Sequence, residues 1–504
     1  MNANLEQTTL PLHLKSIMNE QIRNLEPKQL WNKFADLNAV PRPSKKEERV
    51  IEFMKNFGNS LGLETFEDPI RNVIIKKPAT AGMEKYKTVV LQSHLDMVHQ
   101  KNNDTNFDFS TQGIEMLVDG EWVRAMGTTL GADNGIGVAT IMSILESKDI
   151  AHPAIEALFT IDEETGMTGA LGLKGGILSG EILLNLDTEE EDEIDIGCAG
   201  GVDVTATKKY EEENTPNGVT AFTVTVKGLN GGHSGIEIHK GLGNANKIMN
   251  RLLYNSASKF GMRVAEIDGG SLRNAIPRES NAKVVVPDNM ANDFTVTLNK
   301  IADEIKFEFK TVDPKLNISI TKTELPKKVM NATDQKNILN AIYAAQNGVY
   351  RMSADIKDLV ETSNNVARVL IKEGNILIQC LTRSSIETSK FDLADSLRSV
   401  FELSGCDVAF AGSYPGWTPN VSSPILDLLV HLYEKENKEK PKVVACHAGL
   451  ECGILGTNYP KMDMISFGPT IRGAHSPNER VNIASVQKFW KFVQEILKNI
   501  PERK

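Results

Sequence analysis

Three short apolar segments, each running into polar residues, constrain the fold of this chain more than any other feature. They are residues 88–91 (TVVL), 157–161 (ALFTI) and 182–186 (ILLNL). Apolar runs of this length are typical of strands that are buried on both faces of a sheet. Residues 135–147 (GIGVATIMSILES) lie between the first two runs and have the spacing of a helix. This alternation of strand and helix predicts an α/β domain.

Two amphipathic helices are predicted before these strands. Leu30, Trp31 and Phe34 fall at helical spacing in the segment that follows Glu26. A second apolar stripe follows Ser44, which we interpret as the cap of that helix. Residues 1–20 show no such pattern and are predicted to form a loose N-terminal extension.

The sequence pattern changes at about residue 201. FTVTVKGL and NISITKTEL alternate apolar and polar residues, whereas GNANKIMNRLLYNSAS and DFTVTLNKIADEI have helical spacing. One polar face on each strand predicts an antiparallel sheet with helices on one side, and therefore an α+β domain over residues 201–416. The α/β pattern then returns. We predict one α/β domain, made of residues 21–200 and 417–504 around a mixed central sheet flanked by helices, which the α+β domain interrupts.

Charge and apolar content exclude several classes of partner. The net charge is -10 and the pI is about 5.6, so the chain lacks the basic surface of nucleic-acid-binding proteins. No run of about 18 apolar residues and no signal-peptide core occurs, which argues against a membrane partner and predicts a cytoplasmic protein. The five cysteines are scattered, which fits reduced thiols rather than disulfides or a thiolate zinc site.

Residues that commonly bind metals lie at or just past the predicted strand ends and in one Gly–Pro loop near the C-terminus: His94, Asp133, Glu164, Asp187 and His475. Each has an ordinary alternative, such as a histidine at a strand end, an aspartate that caps a helix, or a solvated glutamate. Ligands of open α/β sheets bind beyond the carboxyl ends of the strands. Five nitrogen and oxygen ligands, one of them shared, suit two zinc ions about 3.5–4 Å apart.

Seven motifs in order resemble those of the aminoacyl-histidine dipeptidases. They are SHLDMV, GTTLGADNGIG, DEETGM, NLDTEEE, GGHSG, HAGLECG and GAHSPNE, and they cover nearly the whole chain from about residue 26. These PepD-type cytosolic dipeptidases belong to the carboxypeptidase/aminoacylase superfamily of di-zinc hydrolases. The resemblance therefore implies a di-zinc peptidase domain interrupted by a large α+β lid domain.

The resemblance also implies a metal-ligand scheme with two Zn²⁺ per chain. His94 and Asp187 would hold one ion, Glu164 and His475 would hold the other, and Asp133 would bridge them. Mn or Co also binds to histidine and carboxylate ligands, so the sequence leaves the native metal open.

The same resemblance implies metal-dependent hydrolysis of dipeptides by zinc-bound hydroxide. Glu163 would be the general base that takes the proton of the water, and Asp96 would orient His94. All the ligand positions carry residues able to bind metal, which argues against an inactive relative.

Further residues of the motifs are assigned to the small peptide substrate. His233 of GGHSG would stabilise the oxyanion, Asn274 would contact the substrate, and Arg383 would bind its C-terminal carboxylate. Gly449 would line the pocket with its backbone, whereas His447 is interpreted as a packing residue. His233 and Asn274 fall in the first half of the lid and Arg383 in the second, so we hypothesise a lid of two lobes.

Several alternatives stay open on the sequence alone. A tripeptidase, a deacylase or a carboxypeptidase of the same superfamily would keep the same ligands. A non-catalytic metal-binding protein is a more distant alternative, and the presence of Glu163 argues against it. The sequence does not decide between aminoacyl-histidine and broad dipeptide specificity. It also leaves open a homodimer, in which His233 could act within its own chain or across to a partner.

Overall fold

The computed structural model describes residues 20–503, so the predicted extension over residues 1–20 falls almost wholly outside it. The described chain divides into two compact units. The first unit contains the chain up to residue 196, residues 419–445 and the chain from residue 454. The second contains residues 197–418 and 446–453. The short segment 446–453, which the sequence analysis placed with the α/β domain, therefore groups with the second unit.

The first unit is built on a mixed eight-stranded sheet, as the sequence predicted. Across the sheet the strands follow the order Glu64–Glu67, Val73–Lys77, Ile155–Thr160, Val89–His94, Ile182–Asn185, Asp463–Ser466, Glu193–Cys198 and Lys442–Cys446. The four from Ile155–Thr160 to Asp463–Ser466 are mutually parallel. Their carboxyl ends consequently lie along one edge. A smaller antiparallel sheet contains Ile471–Arg472, Arg480–Asn482, Trp122–Ala125 and Met116–Asp119.

The helices that accompany this sheet are Lys28–Asn38, Glu48–Ser60, Ala132–Glu146, Glu163–Gly166, Thr168–Gly172, Pro424–Asn437, Glu451–Asn458 and Ile483–Lys498. Every residue from Ala132 to Leu145 is buried, which explains why this helix is apolar on all sides. The predicted cap at Ser44 is wrong. The second helix begins only at Glu48, and the Ser44 hydroxyl donates instead to Asp96 at 2.8 Å.

The second unit contains a nine-stranded sheet whose neighbouring strands are antiparallel. Eight strands follow the order Asn317–Lys322, Val219–Lys227, Ser280–Pro287, Arg263–Gly270, Val360–Lys372, Asn375–Ser384, Gly200–Lys209 and Asp407–Tyr414, and Gly348–Met352 pairs with Val360–Lys372. Short strands Glu212–Asn214 and Lys328–Met330 form a separate pair. The pairing of Arg263–Gly270 with Val360–Lys372 joins the two halves of the unit into one continuous sheet.

Four long helices pack against the buried face of this sheet: Ala245–Phe260, Ala291–Phe309, Ala332–Ala344 and Glu387–Leu403. Single turns of 3₁₀-helix occur at Ile238–Lys240 and Asp288–Met290. In Val219–Lys227 the alternation predicted from sequence places Phe222, Val224 and Val226 in the core. Between residues 20 and 503, none of the helices combines the length and the apolar character needed to cross a membrane.

Candidate active site

The five candidate metal ligands come together at one edge of the first unit's central sheet. His94 is the last residue of its strand, and Asp187 lies two residues beyond Ile182–Asn185. Glu164 is in the short helix that follows Ile155–Thr160, and Asp133 is in the first turn of Ala132–Glu146. His475 lies in the loop before Arg480–Asn482. The parallel strands end at the same edge, which brings these side chains together.

Asp133 lies between the two histidines and offers one carboxylate oxygen to each. His94 Nε2 is 3.2 Å from Asp133 Oδ1 and 3.5 Å from Asp187 Oδ1. His475 Nε2 is 3.1 Å from Asp133 Oδ2 and 3.0 Å from Glu164 Oε2. The site is therefore two half-sites, each with one imidazole and one carboxylate of its own, that share the Asp133 carboxylate.

The donor set fits two divalent cations. Imidazole nitrogens and carboxylate oxygens are ligands that zinc accepts. Potential ligand atoms of His94, Asp133 and Glu164 all lie within 4.8 Å of one another. The Oε1 atom of Glu164 is buried and has no hydrogen-bond partner within the described residues. A buried carboxylate oxygen is costly without a partner, and a bound cation would supply one.

The pKa values of these groups follow from burial and from their closeness. Hydrogen bonds to Asp133 and Glu164 raise the pKa of His475 to about 11. Burial lowers the pKa of His94, but the neighbouring carboxylates outweigh it and raise that pKa well above its usual value. Burial raises the pKa of Glu164 and of Asp187. For Asp133, burial is outweighed by the hydrogen bonds of the two histidines, which hold its pKa below the usual value.

Asp96 connects a ligand to the turn that carries Glu163. The Nδ1 atom of His94 is 3.2 Å from the Asp96 carbonyl oxygen and 3.4 Å from its carboxylate. The Asp96 carboxylate also accepts from the backbone N–H groups of Glu163 at 3.0 Å and Glu164 at 3.3 Å. Metal-binding histidines commonly donate their second N–H in this way, which fixes the ring orientation. Glu163 itself is half-buried in the same short helix.

Sequence reasoning missed two buried charged residues behind the ligands. Glu479, in the same motif as His475, accepts hydrogen bonds from four consecutive backbone N–H groups that end at Asp133. Arg42 donates to the carbonyl oxygens of Leu95, Asp96 and Gly131. Glu479 lies within the GAHSPNE motif, but nothing in the sequence spacing of Glu479 or Arg42 revealed the loop that each contacts.

The acidic run that follows Asp187 is only partly exposed to solvent. Its residues 189–193 are half-buried, and several are ion-paired within the first unit. Glu190 pairs with Arg472 at 2.7 Å, and Glu191 pairs with Lys488 at 3.0 Å. Burial and the charge of Asp133 raise the pKa of Glu189 to about 8. The charges of Glu190 and Glu191 are therefore compensated by basic partners within the first unit.

The second unit brings His233 and Asn274 together. Ser234 N–H donates to the Asn274 carbonyl oxygen at 2.8 Å, and His233 forms a β-bridge with Ala275. The Nδ1 atom of His233 accepts from the backbone N–H groups of Gly235 at 3.2 Å and Ile236 at 3.1 Å. In a neutral ring the proton is then on Nε2, so this atom is a hydrogen-bond donor.

Arg383 lies beside the same loop. It is 4% exposed, its Nη1 donates to the Tyr414 hydroxyl at 2.8 Å, and its Nε is 3.5 Å from the Ser234 hydroxyl. A Cβ atom added to Gly235 would lie 3.2 Å from the Arg383 side chain and 2.1 Å from the His447 carbonyl oxygen. Only glycine fits between these two groups, so GGHSG packs directly against both.

His447 and Gly449 belong to the segment that groups with the second unit. His447 Nε2 lies 2.8 Å from the Ser363 hydroxyl. Burial, reinforced by the positive charge of Arg383, lowers the pKa of His447 to about 3, so its imidazole is neutral. Gly449 is half-buried in the turn that follows. Four residues assigned to substrate by resemblance thus lie in the second unit: His233, Asn274, Arg383 and Gly449.

Comparison with known proteins extends these observations. Residues 90–499 match the sequence model of peptidase family M20/M25/M40. The chain is 43% identical over 483 residues to the cytosol non-specific dipeptidase of Escherichia coli strain K12, and the match covers 96% of this chain and 100% of that protein.

Solved structures are similar over the same extent. The aminoacylhistidine dipeptidase of Vibrio alginolyticus matches with a TM-score of 0.89 and 44% identity, covering 96% of this chain and 99% of that one. The aminopeptidase PepT of Bacillus cereus has a TM-score of 0.56 at 16% identity, with 94% of this chain and 99% of that one covered, and shares the fold.

Proposed function

Because the chain belongs to peptidase family M20/M25/M40, we propose that it is a metal-dependent dipeptidase, of aminoacyl-histidine or broad specificity. The observation that carries the proposal is the Asp133 carboxylate, which faces a histidine on each side, each with a further carboxylate beside it. The relatives at 43% and 44% identity, which match 96% of the chain, are named dipeptidases, and this supports the substrate class. The Escherichia coli relative is named cytosolic, and we propose the same compartment for this chain.

Two Zn²⁺ ions are the proposed cofactors. His94 and Asp187 would hold one, Glu164 and His475 would hold the other, and Asp133 would bind both. Such a metal pair, when bound, lowers the pKa of water toward neutrality and polarises a peptide carbonyl.

Glu163 is the proposed general base. The backbone of Glu163 is fixed by the 3.0 Å hydrogen bond to Asp96, the residue that also faces His94. A carboxylate held in this way can take the proton of the attacking water and return it to the leaving amine. Asp96 thereby couples the orientation of a metal ligand to the position of the base.

Residues of the second unit are proposed to bind the substrate. The donor at His233 Nε2 suits the negative charge that develops on the carbonyl oxygen in the transition state. The guanidinium of Arg383 suits a C-terminal carboxylate, because its planar N–H groups match the two carboxylate oxygens. Asn274 and Gly449 would contact the peptide from the loops on which they lie.

The experiment that tests this function is turnover on a substrate panel after chelation and re-addition of single metals. We expect dipeptides, including aminoacyl-histidine dipeptides, to be cleaved faster than tripeptides and N-acyl amino acids, and we expect activity to return with Zn²⁺. Mn²⁺ and Co²⁺ serve as alternatives for the native metal.

The matched control for the panel is Glu163→Gln. We expect this variant to bind the same amount of metal while kcat falls by about 10²–10⁴-fold, which is the usual contribution of a general base. Preferred cleavage of tripeptides or N-acyl amino acids would refute the dipeptidase assignment. Wild-type activity in the variant would refute the role of Glu163.

A further inference from the structure

The carboxylate of Glu479 is buried against the backbone of the loop that carries Asp133. The residue is 2% exposed. Its Oε2 accepts from the N–H groups of Leu130 at 2.7 Å and Gly131 at 3.0 Å. Its Oε1 accepts from those of Ala132 at 2.7 Å and Asp133 at 3.3 Å. One side chain therefore binds four consecutive backbone amides.

This loop needs an external partner to hold its shape. Gly131 has φ +70°, in the left-handed region, and Asp133 has φ -79° and ψ 109°, outside the helical region. The turn therefore departs from helix geometry just where the shared ligand lies. The first N–H groups of a helix have no partner within the helix, and here one carboxylate supplies the acceptor for four of them.

Glu479 also belongs to the loop of another ligand. Its own N–H donates to the Ser476 carbonyl oxygen at 3.0 Å, which closes a turn directly after His475. The side chain thus links the backbone beneath His475 to the backbone of Asp133. These two residues are 3.1 Å apart at His475 Nε2 and Asp133 Oδ2.

A buried cation supports the other side of the same turn. Arg42 Nη2 donates to the Gly131 carbonyl oxygen at 2.6 Å, and Nη1 donates to the carbonyl oxygens of Leu95 and Asp96 at 3.0 and 3.1 Å. Glu479 therefore accepts from the Gly131 N–H, while Arg42 donates to the Gly131 carbonyl oxygen, so Gly131 is held on both sides. Arg42 extends this frame to the residues that follow His94.

We propose that Glu479 is a positioning residue that sets the orientation of Asp133 relative to His475 and thereby controls the affinity of both metal sites. This inference rests on the proposed metal centre but not on the identity of the substrate. Because Asp133 faces both histidines, a change in its backbone would weaken both sites together.

The test compares Glu479→Gln with Glu156→Gln. A glutamine at 479 directs an NH₂ group at two N–H groups that need an acceptor. Glu156 is a matched control, since it is 3% exposed and accepts from the N–H groups of Ser179 and Gly180 at 2.8 and 2.9 Å. It lies in strand Ile155–Thr160 four residues before the strand end, away from the ligands.

Zn²⁺ affinity is measured on metal-depleted protein by competition with a chromophoric chelator, together with the melting temperature and the absorption spectrum of the Co²⁺-loaded form. We expect both variants to lower the melting temperature. Only Glu479→Gln should weaken Zn²⁺ binding, by about 10–100-fold at both sites, and alter the Co²⁺ spectrum. Glu479→Asp, which keeps the charge on a shorter side chain, should fall between wild type and Gln.

Zn²⁺ affinity of Glu479→Gln within about twofold of wild type would overturn the proposal, as would an equal loss in Glu156→Gln. If Glu479→Gln does not fold, Glu479→Asp decides the matter, and wild-type affinity in that variant overturns the proposal. Wild-type protein that binds two Zn²⁺ but cleaves no dipeptide would refute the proposed function and leave the role of Glu479 standing.

Discussion

Arg383 carries a buried positive charge, and among residues 20–503 its guanidinium has hydrogen bonds to the hydroxyl groups of Tyr414 and Ser234. Hydroxyl groups orient a guanidinium but carry no charge to offset its own, and its remaining N–H groups can bind an anion. The Tyr414 ring packs closely against Gly201, since a Cβ atom on that residue would approach the ring to 2.7 Å. The arrangement therefore suits recognition of the carboxylate at the end of a peptide.

At this scale we predict that Arg383→Lys raises KM for dipeptides by about 10–100-fold, with a smaller change in kcat. Lysine keeps the positive charge, but its ammonium group cannot bind both carboxylate oxygens at once as the planar guanidinium can. The same dipeptides with a C-terminal amide provide the control, measured in steady-state kinetics. Wild type should bind them poorly, and Arg383→Lys should make little further difference. An equal rise in KM for acids and amides would show that Arg383 does not contact the carboxylate.

Most of the candidate metal ligands could be predicted to lie together because their signal is local. His94, Glu164 and Asp187 each follow a buried strand, and parallel strands end at one edge. Glu479 and Arg42 gave no such signal, because their partners are backbone groups far away in sequence, such as Asp133 for Glu479. Tyr414 was missed for the same reason, since its role depends on Arg383.

At the scale of elements, strand Glu193–Cys198 carries a buried acid. Asp195 is 5% exposed and accepts from the Thr188 hydroxyl at 2.8 Å. Burial raises its pKa to about 7, with a further contribution from the half-buried Glu193. The Asp195 carboxyl has an ordinary, lower pKa in the unfolded chain. Between that value and the raised one, the folded state keeps a proton that the unfolded chain has lost. The stability of the protein is reduced as the pH rises toward and through 7.

We predict that Asp195→Asn raises the melting temperature at about pH 8, where wild type must bury a charge, and has a smaller effect at about pH 5. Asparagine can still accept from Thr188, so the hydrogen bond is kept. Asp149→Asn, at an exposed position, is the control against which the Asp195→Asn effect is compared at each pH. An Asp195→Asn effect that does not depend on pH would contradict the assigned cause.

Elements were predictable where periodicity was strong and less so at their ends. The alternation in Val219–Lys227 and the apolar run of Val89–His94 gave the correct element type. Ser44 precedes an apolar stripe as a cap would, but its hydroxyl is taken by Asp96 from another part of the chain. Asp133 lies in the first turn of helix Ala132–Glu146 rather than before it, because the irregular turn continues into the first residues of that helix.

At the scale of the whole molecule, the chain passes between the two units several times. The sequence pattern placed the first main crossing at about residue 201, close to the observed division after residue 196. It did not reveal that residues 446–453 group with the second unit. Those residues are held there by contacts such as His447 with Ser363. Such contacts leave no trace in local periodicity.

The second unit already assembles the residues proposed to bind substrate. Ser234 contacts Asn274 through its backbone and lies beside Arg383 through its hydroxyl, so the set is formed within one chain. Its two halves share one continuous sheet, which keeps these loops in register. No second copy of the chain is needed to build this set. As a separate prediction from the sequence, we expect a single chain to supply both the metal ligands and His233 to one reaction.

The last prediction separates this arrangement from one shared between subunits. His233→Ala and Glu163→Ala should each be inactive, for lack of the oxyanion donor and of the base, and a mixture of the two should remain inactive after subunit exchange. If His233 acted across a symmetric dimer, half of all dimers after exchange would be mixed, and each mixed dimer would carry both defects on one site and have an intact second site. Activity would then return to about a quarter of the wild-type value. Mass measurement in solution, made on the same mixture, establishes whether dimers form and exchange. Restored activity would refute the one-chain arrangement, whereas an inactive mixture of exchanging dimers would support it.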